Sequence, residues 1–236
     1  MKQSQRLDYL VKELLKEDEN YSSITVPDNI PDKLLLLRGL MNLRLPKPIS
    51  EEFLAVQDEF LQEEIRDRGI TSIDELTPIC EGLYLWQGDI TTLKVDAIVN
   101  AANSGMTGCY VPNHGCIDNC IHFYSGIQLR EECSRIMEKQ GCEEAIGQAK
   151  LTPSYNLPCD YIIHTVGPIV HGLLTEKDCK LLKRCYKSVL ALAEDNKVES
   201  IAFCCISTGE FHFPNLEAAK IAIKSVKKFL KTRKSV

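Results

Sequence analysis

VDAIVNAANSG, residues 95–105, carries a short apolar run straight into a polar turn closed by glycine. Three further runs share this texture: LYLW at 83–86, YIIHTV at 161–166 and SIAFCCI at 200–206, with helical patterns between and after them. Apolar runs without alternation read as strands buried on both faces, and strands separated by helices build an α/β layered domain. Ligands in such sheets sit at the carboxyl ends of the strands. The unusual residues collect there, because NAANSG (100–105) follows VDAIV and STGEFHFP (207–214) follows SIAFCCI.

Ahead of Gly82 the pattern is helical. Leu7, Leu10, Val11, Leu14 and Leu15 recur at helical spacing, and Phe53, Leu54, Phe60, Leu61 and Ile65 do so after Ser50, a predicted N-cap followed by Glu51 and Glu52. Between them PDKLLLLRGLMNLRLPKP (31–48) reads as an apolar helix fenced by prolines. Residues 1–78 are therefore expected to form a small helical N-terminal extension, and residues 79–236 the α/β domain.

The whole chain has 236 residues, 44% hydrophobic and 26% charged, enough to bury a sizeable core. Its net charge of −5 argues against a general nucleic-acid binder, which needs a basic face. The acidity belongs to residues 1–78, with 10 Lys and Arg against 16 Asp and Glu; the rest holds 18 against 17. No run of about 18 apolar residues is present to span a bilayer, and the N-terminus lacks the unbroken apolar stretch of a secretory signal, so a cytoplasmic location is expected. Eleven dispersed cysteines fit that reducing compartment as small buried hydrophobes or metal ligands. The lysine cluster from Lys224 to Lys234 reads as a solvated helix face.

Three motifs carry candidate chemistry. In STGEF (207–211) small residues and a glycine before a helix let backbone N–H groups approach an anion, although an ordinary strand-to-helix turn has the same composition. Asn100 and Asn103 bring two carboxamides able to bond a sugar hydroxyl, or to serve as turn residues. Asp89, in QGDIT (87–91), can accept from an exocyclic amine or simply bond its own backbone.

Taken together and in order, LWQGDITTLKVDAIVNAANSG, IDNCIHFYSGIQLREEC, GQAKLTPSYNLPCDYIIHTVGP and SIAFCCISTGEFHFPNLEAAKIA resemble a macrodomain over essentially all of residues 82–225. The resemblance implies a three-layer α/β/α sandwich with a mixed central sheet. It also implies a cleft for ADP-ribose, with Asp89 on the adenine amine and Ile90 beside it, and Asn100 and Asn103 at the distal ribose. Ser207, Thr208, Gly209, Glu210 and Phe211 would surround the pyrophosphate, with Phe211 covering the distal ribose.

One stretch departs from the common hydrolytic pattern. Where those macrodomains have a run of glycines, this chain has GCYVPNHGCIDN (108–119), which resembles the zinc-containing macrodomains found beside sirtuin-like ADP-ribosyltransferases in microbes. Cys109, His114 and Cys116 supply three soft or borderline ligands from one loop, and three protein ligands with an open position are the pattern of a catalytic Zn2+. A reversible Cys109–Cys116 disulfide is the alternative, and it leaves His114 without a role. Asp118 matches the acid of the hydrolytic motif, which with Asn103 would position a water against the anomeric carbon; alone, it reads equally as a helix N-cap. His122 and His164 read as core residues, and His212 as a candidate contact only. The expectation is a zinc-dependent hydrolase removing mono-ADP-ribose from protein side chains, ester-linked Asp or Glu by the resemblance. The resemblance also implies a companion sirtuin-like transferase and a lipoyl carrier protein as partners. The rivals are a non-catalytic ADP-ribose reader and an O-acetyl-ADP-ribose deacetylase.

Overall fold

The computed structural model describes residues 1–233, so Lys234 of the basic cluster lies outside the described residues. Three helices open the chain: α1 (Gln3–Leu15), α2 (Ile30–Leu43) and α3 (Glu51–Asp67). α1 buries the stripe Leu7, Leu10, Val11 and Leu14. α3 starts where its sequence predicts, with the Ser50 hydroxyl accepting from the Phe53 N–H at 3.2 Å. α2 starts one residue before its proline, capped by the Asn29 side chain on the Asp32 N–H.

Short strands follow. β1 (Thr71–Ser72) pairs in parallel with β4 (Leu93–Lys94), and β2 (Pro78–Cys80) pairs antiparallel with β3 (Leu83–Tyr84). The apolar run 83–86 thus makes a small separate hairpin and not a strand of the central sheet. That sheet has the order β6-β7-β5-β8, from β5 (Ala97–Ala102), β6 (Ala149–Pro153), β7 (Tyr161–Val166) and β8 (Ile201–Ala202). β5 runs parallel to β7 and β8, while β6 is antiparallel to β7, so the sheet is mixed.

Helices cover both faces, and alternation along the strands decides which residues meet which layer. Ala97, Val99 and Ile163 face a core shared with Leu182, Cys185 and Val189 of α6 (Glu176–Asp195) and Ala218 of α7 (Asn215–Arg233). Ile98 and Ile162 face the opposite core, with Ile121 of α4 (Ile117–Ser125) and Leu129 and Cys133 of α5 (Ile127–Gln140). The result is the three-layer α/β/α sandwich.

The helical extension is packed into this sandwich. Leu10, Leu37, Phe53 and Phe60 share one core with Phe123 and Ile127 of α4 and α5, and Ile65 of α3 belongs to the core beneath Ile98. A boundary at residue 78 therefore separates two sequence textures but crosses continuous packing.

Candidate functional site

Register sets the centre of the site. Asn100 lies two residues beyond Ile98, hence on the same sheet face, and pairs across β5–β7 with His164. α4 lies over that face and brings Asp118 in its first turn against Asn100. The Asn100 amide donates to Asp118 Oδ1 at 2.7 Å, and the Asn103 amide approaches Oδ2 at 3.4 Å while donating to the Gly108 carbonyl at 3.1 Å. Asp118 is only 5% exposed, and burial pushes its pKa up to about 6 against the lowering pull of the Asn100 bond and the Arg130 charge.

Asn100 itself is fully buried behind Asp118, with its Nδ2 committed to that carboxylate, so the structure sets it at the back of the site and not on an open wall. Asp118 is not the helix N-cap: Cys116 is, its sulfur accepting from the Asn119 N–H at 3.4 Å, and Asp118 sits at the second helical position. The capping role predicted for the aspartate thus falls to Cys116.

The loop 109–116 closes over the start of α4. Cys109 Sγ and His114 Nδ1 lie 3.7 Å apart, and ligand atoms of Cys109, His114 and Cys116 all fall within 4.8 Å of one another. The three are half-buried. The Cys116 thiol is pushed up to about 12, mainly by burial and further by Cys109 and Asp118. A divalent metal reverses that preference by favouring thiolates. The donor set therefore fits zinc: two sulfurs, one imidazole and one position left over. His114 Nε2, the nitrogen turned away from Cys109, is 3.5 Å from Glu210, the kind of carboxylate partner that orients a ligating histidine.

Glu210 belongs to the loop after β8, so two motifs distant in sequence meet here. The ladder stops at Ala202, and the Thr208 N–H turns back to the Cys205 carbonyl, curling the rest of the predicted strand off the sheet. Ser207 and His212 hold positive φ of 65° and 55°, and the Phe213 N–H closes on the Ser207 carbonyl at 2.9 Å. Among the described residues, the N–H groups of Ser207, Gly209, Glu210 and Phe211 donate to no protein acceptor, which is the arrangement of an anion nest before α7. Ser207 Oγ is buried and likewise without a partner among the described residues. Gly167, at the end of β7, lies so close that a Cβ there would collide with Ser207 Oγ.

Asp89 sits at the turn that leads into β4. Its Oδ1 caps the short 3₁₀ turn Ile90–Thr92 by accepting from the Thr91 N–H at 2.9 Å, and its Oδ2 meets Arg68 at 2.5 Å. The backbone-capping reading of Asp89 holds, and 45% of its side chain stays exposed. Arg68 also stacks on Tyr124, 3.6 Å from the ring centroid. Ile90 packs partly buried against the Ile98 core.

His164 is a core residue, as its apolar setting predicts. The Asn100 amide lies at its Nδ1 at 3.1 Å and Thr152 at its Nε2 at 3.0 Å, with the Cys133 sulfur 4.0 Å from the same Nε2. Sequence reading passed over Arg38, Asn119 and Arg130, which surround the 109–116 loop from behind. The available signal was Arg38 itself, a lone charge within LLLLRGL.

Comparison with known proteins agrees with this architecture. The Macro domain family matches residues 99–222, more than half of the chain, and the chain belongs to that family. A protein-ADP-ribose hydrolase from Treponema medium is 55% identical over 230 residues, covering 96% of this chain and 88% of its own. A protein-ADP-ribose hydrolase from Staphylococcus aureus (strain MRSA252) is 47% identical over 232 residues, covering 98% and 87%. The Trypanosoma brucei macrodomain in complex with ADP-ribose superposes with a TM-score of 0.63 at 30% identity over 88% of this chain and 87% of that one.

Proposed function

We propose that the protein is a zinc-dependent hydrolase that removes mono-ADP-ribose from modified protein side chains. The observation that carries this reading is the meeting, at the carboxyl ends of β5 and β8, of a buried carboxylate, a three-ligand Cys/His loop and a loop of unpaired N–H groups. The relatives named protein-ADP-ribose hydrolase, matched over nearly the whole chain, support it.

In this reading the pyrophosphate lies on the N–H groups of Ser207 to Phe211, with adenine toward Asp89 and Ile90. Phe211 covers the distal ribose, whose anomeric carbon faces Asp118 and Asn103. Asn100 holds the Asp118 carboxylate from behind, so its free geometry is aimed forward. A carboxyl group poised near neutrality is matched to proton transfer at physiological pH. Asp118 takes a proton from water as the water oxygen bonds the anomeric carbon; the ribosyl C–O bond breaks, and the side-chain carboxylate leaves. Zinc held by Cys109, His114 and Cys116 would supply a Lewis acid at the ribose end of the cleft, worth several kcal/mol in a closed site. The substrate is an Asp or Glu ester on a protein modified by a companion sirtuin-like transferase, with a lipoyl carrier protein as the candidate. The reaction would run in the cytoplasm, where the eleven free cysteines stay reduced.

The test is hydrolysis of an Asp- or Glu-linked mono-ADP-ribosylated protein in heavy-oxygen water by the zinc-loaded enzyme. Release of ADP-ribose with an unlabelled protein carboxylate is expected. Label in the carboxylate means acyl cleavage and overturns the attack at the ribose, while tight binding without release makes the protein a reader.

A further inference from the structure

Half of the loop that carries Cys109, His114 and Cys116 lies open to solvent: Val111, Pro112, Asn113 and Gly115 are exposed. Its one backbone bond within the loop is His114 N–H to the Val111 carbonyl at 3.3 Å. Such a loop holds its donor atoms together only as well as its surroundings hold the loop, and here the surroundings are the N-terminal helices.

Arg38 of α2 makes the central contacts. Its Nη2 donates to the His114 carbonyl at 2.8 Å, and Nε and Nη2 together grip Asn119 Oδ1 at 3.1 and 2.8 Å. Asn119, fully buried, donates through its Nδ2 to the Val111 carbonyl at 3.0 Å. One turn along the same face of α2, Asn42 Oδ1 accepts from the Asn113 N–H at 3.0 Å. Between them the loop rests on the helix at Gly39, where a Cβ would make ordinary contact with Asn113 Nδ2 at 3.4 Å and Pro112 Cβ at 3.8 Å. Arg130 locks the other side, taking the Met41, Asn42 and Arg44 carbonyls with Nη1 and the Cys109 carbonyl with Nη2 at 3.3 Å.

We propose that Arg38 is the positioning residue of the metal loop: a guanidinium fork from the helical extension that holds His114 directly, and Val111 through Asn119, so the three donor atoms stay converged on a zinc-type cation. The proposal rests on the zinc reading above. A planar fork with several fixed donors can serve two acceptors at once, which a lysine ammonium on a flexible stem cannot reproduce. Without it the His114 carbonyl and Asn119 Oδ1 lose their donor, and Asn119 no longer fixes Val111. The extension is then part of the metal site, although none of its residues reaches the metal.

The experiment compares the full chain with Arg38→Ala, Arg38→Lys and Arg38→Gln. It reads zinc affinity by competition with a colorimetric chelator, and coordination geometry by the thiolate charge-transfer and d–d bands of the cobalt-loaded protein. Arg38→Ala is expected to lose about 10- to 100-fold in zinc affinity and to shift the cobalt bands, with partial recovery in Arg38→Lys. ADP-ribose affinity of the metal-free proteins stays within about 2-fold, because Arg38 faces the loop from behind. Arg38→Gln, which retains most of the aliphatic stem, gives the same ordering if the alanine variant folds poorly. Wild-type zinc affinity and cobalt spectrum in Arg38→Ala or Arg38→Gln overturns the proposal. A wild-type chain that takes up no cobalt overturns the zinc reading itself, and the two failures are thereby distinct.

Discussion

At the residue scale the site is an exercise in burying polar groups with partners. Asp118 is nearly sealed from water, with the carboxamides of Asn100 and Asn103 on its two oxygens and His122 Nε2 3.6 Å from Oδ1. Asp118→Asn keeps the shape and removes the proposed base, so kcat should fall by about 10²–10⁴ while ADP-ribose affinity changes by a few-fold at most, measured by single-turnover release and by calorimetry. His164 makes a separate statement about stability. Burial lowers its pKa to about 3, below the 6.5 of the unfolded chain, so its contribution is complete above pH 6.5 and is lost as pH falls toward 3. Over that window the unfolded state takes the proton and the folded state does not, a slope of about 1.4 kcal/mol per pH unit. His164→Gln should flatten the pH dependence of the unfolding free energy there by one proton; an unchanged slope in denaturant titrations contradicts it. The sequence pointed to both residues by type, but it could not assign the N-cap of α4, because backbone geometry at Cys116 decides that, and a cysteine is not a usual cap.

At the scale of elements, the chain turns short strands into long functional loops. SIAFCCI reads as one strand, yet only Ile201 and Ala202 pair, and the remainder curls toward the cleft to present Ser207–Phe211. Apolar composition alone could not show this, since Ile206 and Phe213 are buried whether or not they belong to a ladder. β6 escaped notice for the complementary reason: AKLTP at the sheet edge alternates too weakly and ends in proline. The approach of Gly167 to Ser207 was invisible as well, because a glycine in sequence does not announce what lies opposite it. Gly167→Ala should displace the anion loop and raise the ADP-ribose Kd by at least about 10-fold with little change in fold, the rough size of one lost charge-assisted hydrogen bond. Unchanged affinity would remove the loop from the pyrophosphate site. The macrodomain motifs themselves were legible because turn chemistry, strand ends and glycines coincide at each of them.

Taken as a whole molecule, the N-terminal helices and the sandwich are one packed body. α2 supports the 109–116 loop through Arg38 and Asn42, while Arg68, just past α3, pairs with Asp89. Removal of residues 1–78 bares Phe123 and Ile127, each worth roughly 1.5–3 kcal/mol of burial, and strips the Met41, Asn42 and Arg44 carbonyls from Arg130. The truncated chain is expected to be insoluble or to unfold at markedly lower temperature, and a soluble truncated domain with native stability would contradict the shared core. Sequence texture marked the extension but not its attachment, since a helix stripe shows that a face is buried without showing against what.

The most direct measurement is release of ADP-ribose from a mono-ADP-ribosylated protein by the purified enzyme of known zinc content, before chelation, after it, and after zinc is restored. The account predicts one zinc per chain, activity lost with the metal and regained with it. Full turnover by a metal-free chain would contradict it and leave the chemistry to Asp118 and the cleft.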